Sequence, residues 1–385
     1  MKMYYIANAR MPSERAHGIQ IAKMCEAFVE AGIDLTLVTP QRAGSADSLK
    51  EFYGLRPTVS VRRLPVIDLY HNGKMGYRIA SVSFALSALI FLLWKRILRE
   101  RSFAYTIDMD QFSFLPLSLS GVPYFFESHG IKKPRTLTRF FVHRARGIIV
   151  INEYIRKRFL DSFRIEESKI IARPNGIDTD ALGAVSSRPV ARRNLSISPN
   201  AHVVVYVGKF YAWKGLDILA EAARQLGRET IVYAVGGDIA EFRRITGISD
   251  VPENLVCAGE RPYREIVEWL GAADVLLLLG TAANDYSFRQ TSPMKLFEYL
   301  VSHRPIVASE TPAIAELVST SEVYYYEPDN PNDLVRALKE AMFDGESAQK
   351  ERMSRALQLG LRHTWRNRAA GILAFIESRG VMIRQ

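Results

Sequence analysis

Along the 385-residue chain, short runs of β-branched and aromatic residues alternate with longer segments whose apolar positions recur every three or four residues. The short runs fit strands buried on both faces, and the longer segments fit the helices that cover them, as in parallel sheets with crossover connections. In the first half this predicts strands at Met3–Ala9, Asp34–Thr39, Val59–Pro65, Ala104–Asp108, Tyr124–Ser128, Gly147–Ile151 and Ile170–Arg173. Helices are expected near Ile19–Ala31, Gly76–Leu98 and Glu153–Phe163. The polar, small-residue stretch Asp180–Asn200 breaks the rhythm and reads as a linker. Beyond it the pattern predicts strands at Val203–Gly208, Thr230–Val235, Leu255–Ala258, Val275–Leu279, Pro305–Ser309 and Val323–Tyr326. The helices that go with them fall near Leu216–Leu226, Tyr263–Ala272, Met294–Ser302, Pro312–Val318 and Pro331–Phe343. The fold class is α/β, with two Rossmann-like units over residues 1–180 and 181–364. Ligands of such units sit at the carboxyl ends of the strands. Position alone does not separate a dehydrogenase, a kinase, an epimerase and a transferase.

One apolar run stands apart. Ile79–Trp94 is 16 residues without a charge, preceded by Lys74 and Arg78 and followed by Lys95, Arg96, Arg99 and Arg101. A membrane span needs about 20 residues. The run therefore reads either as a helix buried beside a sheet or as a basic-flanked helix at a membrane surface. The amino terminus, MKMYYIANARMPSER, reads as a first strand rather than a signal peptide.

Composition narrows the class. With 48% hydrophobic and 24% charged residues the chain resembles neither a disordered nor a multi-span membrane protein. Cys25 and Cys257 are its only cysteines and fall in different predicted domains, so no disulfide framework is expected and a reducing cytoplasm fits. The net charge of +10 is unevenly placed: residues 1–180 hold 27 Lys and Arg against 17 Asp and Glu, and residues 181–385 hold 24 of each. Such a one-sided field attracts anionic lipid, phosphorylated substrates or nucleic acid. No nucleic-acid module or interleaved aromatic-basic pattern accompanies it, so nucleic acid is not an expected partner.

Two segments carry chemistry. VGKFYAWKG (Val207–Gly215) follows a predicted strand and opens a helix, with Gly208, Lys209 and Lys214 at a tight loop. Backbone N–H groups and ammonium groups there suit a diphosphate; the alternative is ordinary surface charge. SPMKLFEYL (Ser292–Leu300) reads as an N-cap serine, Pro293 at the first helical position and then a helix through Met294. Glu298, nearly two turns in, could accept hydrogen bonds from a diol or be a solvated helix glutamate.

These segments, with AVGG (Ala234–Gly237), NLVCAGERPYREIVEWLGAADVLLLL (Asn254–Leu279) and SPMKLFEYLVSHRPIVASETPAIAEL (Ser292–Leu317), resemble the carboxy-terminal half of the family 4 glycosyltransferases. The first half resembles the family through PSERAHGIQIAKMCEAF, ESHG and PNGID. The resemblance implies the GT-B fold, two Rossmann-like domains facing each other across a cleft. It implies a nucleotide-sugar donor in the second half, no cofactor and no metal, and retention of anomeric configuration. Lys209 and Lys214 would neutralise the diphosphate, and Glu298 would hold the ribose hydroxyls. The backbone at Ser292, Pro293 and Met294 would approach the sugar or phosphate, Arg261 would lie near the base, and Gly18 would let backbone approach phosphate. His129 would position the donor sugar.

The first of the family's two glutamates would fall at Gln290, an amide that can still bind sugar hydroxyls. Asp108 and Asp110 form an Asp-x-Asp in the domain opposite to the one expected to hold the donor, where a strand end lining the cleft is the favoured reading over a metal site. The helical stretch Thr364–Arg379 would return to the first domain. The expected activity is sugar transfer to a lipid-linked saccharide or polysaccharide precursor, by an enzyme peripheral to the inner face of the cell membrane and attracted to its anionic surface. The alternatives are a nucleotide-sugar epimerase or phosphorylase on this fold, or a non-catalytic nucleotide-sugar-binding membrane adaptor.

Overall fold

The computed structural model describes residues 1–13, 15–42, 48–107, 115–182 and 185–382. Largely apolar runs make the strands, thirteen of which are described, and the central ones are covered on both faces while the edge strands Ser60–Leu64 and Leu255–Cys257 are partly exposed. The first seven are β1 (Lys2–Ile6), β2 (Leu35–Pro40), β3 (Ser60–Leu64), β4 (Ser102–Ile107), β5 (Tyr124–Ser128), β6 (Gly147–Val150) and β7 (Ile170–Ala172). They form one parallel sheet in the order β3-β2-β1-β4-β5-β6-β7. Helices Ala16–Glu30, Gly73–Ile97 and Glu153–Phe163 match the expected segments, and Leu49–Tyr53, Leu115–Ser120 and Thr136–Arg144 add to them. The Trp365–Ser378 helix belongs to this first unit, which comprises Met1–Pro174 and Trp365–Gln385, and it packs on the Ala16–Glu30 helix.

The second unit, Asn175–Thr364, holds β8 (His202–Val207), β9 (Thr230–Val235), β10 (Leu255–Cys257), β11 (Val275–Leu278), β12 (Ile306–Ser309) and β13 (Tyr324–Tyr326). Its sheet is parallel in the order β10-β9-β8-β11-β12-β13. The unit begins at Asn175 rather than at 181, because Asn175 and Ile177 are bonded into it. Asn175 N donates to Ser292 Oγ at 3.0 Å and Ile177 N to His363 O at 2.8 Å.

The expected linker is likewise part of this unit. Within it, the Arg188–Asn194 helix packs on the Tyr263–Ala272 helix, and the buried Arg192 pairs with Asp274 at 2.6 Å. Polar composition marks the segment in sequence, but its buried cation has a half-buried carboxylate to meet. Redrawn on these units, the charge asymmetry grows. The first unit has 31 Lys and Arg against 16 Asp and Glu, a balance of +15, and the second has 20 against 25, a balance of −5.

The apolar run lies in the 25-residue Gly73–Ile97 helix, which is long and apolar enough to cross a membrane by length and composition. One face is in the core of the first unit, where Phe84, Ala88 and Leu92 cluster with Tyr4, Ile6 and Leu117. The other face leaves Leu86 56%, Ile90 67%, Trp94 53% and Ile97 76% exposed. The inner face fits the buried reading of the run, and the outer face is apolar where a soluble helix is usually charged.

Candidate functional site

In the second unit the strand order reverses between β8 and β11, and a crevice opens beyond the carboxyl ends of strands at such a point. The chain leaves β8 at Gly208, whose φ of 142° is a conformation that favours glycine. Behind it the Met294–Leu300 helix is fastened to the strand, because Val207 N donates to the buried Tyr299 hydroxyl at 3.0 Å. This fastening brings Lys295 against Gly208. A β-carbon added to Gly208 would stand 2.5 Å from Lys295 Nζ and 3.4 Å from Lys214 Nζ.

The two lysines singled out in the Val207–Gly215 loop differ in their surroundings. Lys209 Nζ is ion-paired with Glu260 Oε1 at 2.8 Å, and that carboxylate raises its pKa. Lys214 Nζ donates to Lys209 O at 2.8 Å, and burial lowers its pKa to about 8. It lies 5.1 Å from the ring centre of Tyr211 and 5.4 Å from that of Trp213, which stack on each other. Tyr286 meets Trp213 edge-on, so an aromatic platform adjoins the cations, a surface suited to the apolar face of a sugar or base.

The Met294–Leu300 helix starts at Met294 as expected, but its cap differs from the expected one. Pro293 is extended, with ψ 116°, and occupies the N-cap position, while Ser292 caps nothing. Instead Ser292 Oγ accepts from Asn175 N, and Asn175 Nδ2 donates to Ser292 O at 2.8 Å, so this residue anchors the PNGID segment. Glu298 is buried on the same helix as Lys295 and acts on it electrostatically. Gln290 ends a π-helical turn, Tyr286–Gln290, and its Nε2 donates to Asp285 Oδ2 at 2.6 Å. Arg261 Nε donates to Ala258 O at 3.0 Å, which holds it in its own loop next to Glu260.

In the first unit, Gly18 lies in the first turn of the Ala16–Glu30 helix, not in a loop before it. A β-carbon there would stand 2.7 Å from Ser13 O and 2.8 Å from the Tyr53 hydroxyl, so the glycine permits close packing of the preceding loop. His129 Nε2 donates to Glu127 Oε1 at 2.6 Å, which fixes the ring. Glu127, at the carboxyl end of β5, is fully buried and also receives Gln20 Nε2 at 2.8 Å, the Tyr105 hydroxyl and Arg368 NH2 at 2.8 Å. Burial opposes its charge, but Arg368 and His129 more than reverse this and hold the carboxyl well below its usual range. Asp108 and Asp110 lie outside the described residues. Among the described residues, no three His, Cys, Asp or Glu side chains converge as metal ligands.

The profile described as "Glycosyl transferases group 1" matches residues 201–344, and that described as "Glycosyltransferase Family 4" matches residues 18–181. The chain belongs to glycosyltransferase family 4. Among its curated family relatives, the processive diacylglycerol alpha-glucosyltransferase of Acholeplasma laidlawii is 24% identical over 46% of this chain and 54% of that protein. The alpha-galactosylglucosyldiacylglycerol synthase of Streptococcus pneumoniae is 25% identical over 50% and 51%. The chain thus spans about half the length of the curated relatives it matches. Similar solved structures include a glycosyltransferase from Rickettsia africae, with 13% identity, TM-score 0.74 and 98% coverage of each chain. Anabaena Alr3699/HepE, solved with UDP and glucose, has 16% identity and TM-score 0.71, covering 98% of this chain and 100% of that one. These likenesses show that the family 4 chain has the GT-B type of fold.

For this family 4 chain the structure brings Gly208, Lys209 and Lys214 together and adds Lys295, which the sequence reading passed over. The signal for it was present as a lysine three residues after Ser292, inside a helix whose only other charged residue is Glu298. The supports of His129 were also missed. Their signals were a glutamate closing the apolar strand YFFES and an arginine, Arg368, on the apolar side of the last helix.

Proposed function

We propose that this protein is a glycosyltransferase that takes a sugar from a nucleoside diphosphate and gives it, with retention of configuration, to a lipid-linked saccharide or polysaccharide precursor at an anionic membrane surface. The observation that carries the reading is the group of lysine ammoniums around Gly208, with the buried Glu298 on the adjoining helix. Cations fixed where a diphosphate leaves stabilise the developing charge without being reorganised during the reaction. The Glu298 carboxylate offers two acceptors to vicinal hydroxyls, as on a ribose. The diacylglycerol-linked activities named for two relatives favour a lipid acceptor, and HepE, crystallised with UDP, makes UDP the first nucleotide to try.

His129 and Glu127 belong to the other unit. There a carboxylate-fixed imidazole offers an oriented polar group to a sugar hydroxyl, and it is a positioning group in this reading. In this reading retention comes from attack on the same face as the departing diphosphate, whose oxygen takes the acceptor proton. The acceptor is drawn by the +15 unit and its apolar helix face.

The test is donor binding and turnover in Lys214→Ala and Glu298→Ala. Each variant should keep its circular dichroism spectrum and lose at least tenfold in UDP affinity or transfer rate with a UDP-sugar and diacylglycerol-based acceptors. Wild-type binding and turnover in both variants would refute the site. Sugar release or isomerisation without any acceptor would point to the epimerase or phosphorylase alternative.

A further inference from the structure

Lys214 of the Val207–Gly215 loop has a second cation close by, Lys295 of the Met294–Leu300 helix. Lys209 is exposed and already paired with Glu260. Lys214 and Lys295 instead converge on Gly208: their Nζ atoms lie 3.4 Å and 2.5 Å from one point, the place of an absent β-carbon, and are therefore at most 5.9 Å apart. Among the described residues neither makes an ion pair. The groups facing Lys295 are the Tyr206 ring of β8, with Nζ 4.1 Å from its centre, Lys214 from the Ala212–Lys214 turn, and Glu298 on its own helix. Two ammoniums held this close repel each other, and the fold keeps them so by fastening Tyr299 to Val207 and by placing a glycine between them. An anion relieves the repulsion. Charge-assisted N–H···O bonds are about 2.8 Å long, so one phosphate group spans the separation.

We propose that Lys295 is the second phosphate-binding cation of the donor site, the diphosphate lying over Gly208 between Lys214 and Lys295 while Lys209 stays with Glu260 at the rim. This rests on the glycosyltransferase reading and specifies which side chains meet the leaving group. Burial and the neighbouring Lys214 both push Lys295 below its ordinary pKa, and burial does the same to Lys214. The arriving anion therefore draws a proton onto the pair.

Isothermal titration of the full chain with UDP and with inorganic pyrophosphate tests this. Lys295→Met, which keeps an apolar stem over Tyr206, should weaken both probes by tenfold or more, and Lys295→Arg should restore most of the loss. Lys209→Met should cost less than threefold. At pH 8, where UDP is fully ionised, wild-type binding should take up at least half a proton, read from the dependence of the heat on buffer ionisation enthalpy. That uptake should shrink in Lys295→Met. Binding of UDP by Lys295→Met within twofold of wild type, or an equal loss in Lys209→Met, would overturn the proposal and leave the glycosyltransferase reading standing. If Lys295→Met does not fold, the wild-type proton uptake decides, and its absence overturns the proposal. A wild-type chain that binds neither UDP, GDP, ADP, dTDP nor pyrophosphate would remove both readings together.

Discussion

Arg368→Met would leave one of the least exposed carboxylates in the first unit short of its main counter-charge. In the wild type, Arg368 NH2 donates to Glu127 Oε1 at 2.8 Å, NH1 is 3.4 Å from Oε2, and Nε donates to Pro174 O at 2.9 Å. The two side chains are 2% and 0% exposed. Methionine keeps most of the stem volume, so the loss is chiefly electrostatic. Removing one partner of a buried pair costs about 3–5 kcal/mol. Gln20, His129 and Tyr105 still serve Glu127, which places the expected loss near the lower end, about 3 kcal/mol. Urea unfolding followed by fluorescence would measure it, with hydrogen exchange along Trp365–Ser378 reporting local release of the last helix. Glu127→Gln combined with Arg368→Met should be more stable than Arg368→Met alone, since no charge is then left unpaired. A loss below about 1 kcal/mol, or a double variant no better than the single, would refute the reasoning.

Acid should expose the same pair. The folded Glu127 carboxyl lies well below the unfolded value of about 4.3, so the unfolded chain binds the proton first as pH falls. The pair's contribution is complete above about pH 5 and drains away below it, as pH drops toward the folded value. Arg368→Met should flatten that acid limb, visible in melting temperatures between pH 6 and pH 3.

Other expectations are independent of that pair. UDP affinity should hold below pH 8 and fall as pH rises beyond it, because Lys214 loses its proton near 8 in the free protein and binding favours the charged form; affinity that is flat to pH 9.5 would contradict this. Ser292→Ala should cost about 1–2 kcal/mol in thermal or urea unfolding by leaving the buried Asn175 N–H without its acceptor. Gly360→Leu should destabilise the second unit by about 1–3 kcal/mol, since a β-carbon there would already stand 2.6 Å from Val301 Cγ1 and 3.0 Å from Leu300 Cβ. Co-sedimentation with phosphatidylglycerol vesicles at low salt should be clear for the wild type and weakened by Ile90→Gln with Ile97→Gln, or by neutralising Lys74, Arg78, Arg99 and Arg101. Arg96 is unsuitable for that test because it donates to Ser120 O at 3.2 Å, and an absence of vesicle binding would count against a membrane surface.

Most strands were legible as nearly unbroken apolar runs, the edge strand Ser60–Leu64 with its two arginines being the exception, and all thirteen described fall within a few residues of their expected places. The helices divide by how they bury themselves. Pro331–Phe343 carries an apolar stripe and was found at its full length. Glu346–Arg362 was not expected, since it buries little beyond Ala356 and Gly360 and packs through the missing side chain of that glycine rather than through large apolar residues. The Asp180–Asn200 stretch misled for the opposite reason: Arg192 reads as surface charge until Asp274, 82 residues away in sequence, is seen to face it.

The same distinction governs the candidate site. Lys209, Lys214 and Glu298 stand out in local motifs, so sequence reaches them, and at Gly18 the structure adds a close packing of Ser13 and Tyr53 that the motif does not show. Lys295 acquires its meaning only because Tyr299 is fastened to the end of β8, and Arg368 only because the last helix returns to the first unit, contacts that no local spacing encodes. The charge follows this logic as well. A chain-wide +10 becomes +15 against −5 once the return helix is counted where it packs and the boundary is set at Asn175, so in the proposed reading a few placed ammoniums hold the anion in an acidic body. Neutralising scattered surface lysines of the second unit should then leave UDP binding unchanged, whereas the loss of a single ammonium beside Gly208 should not.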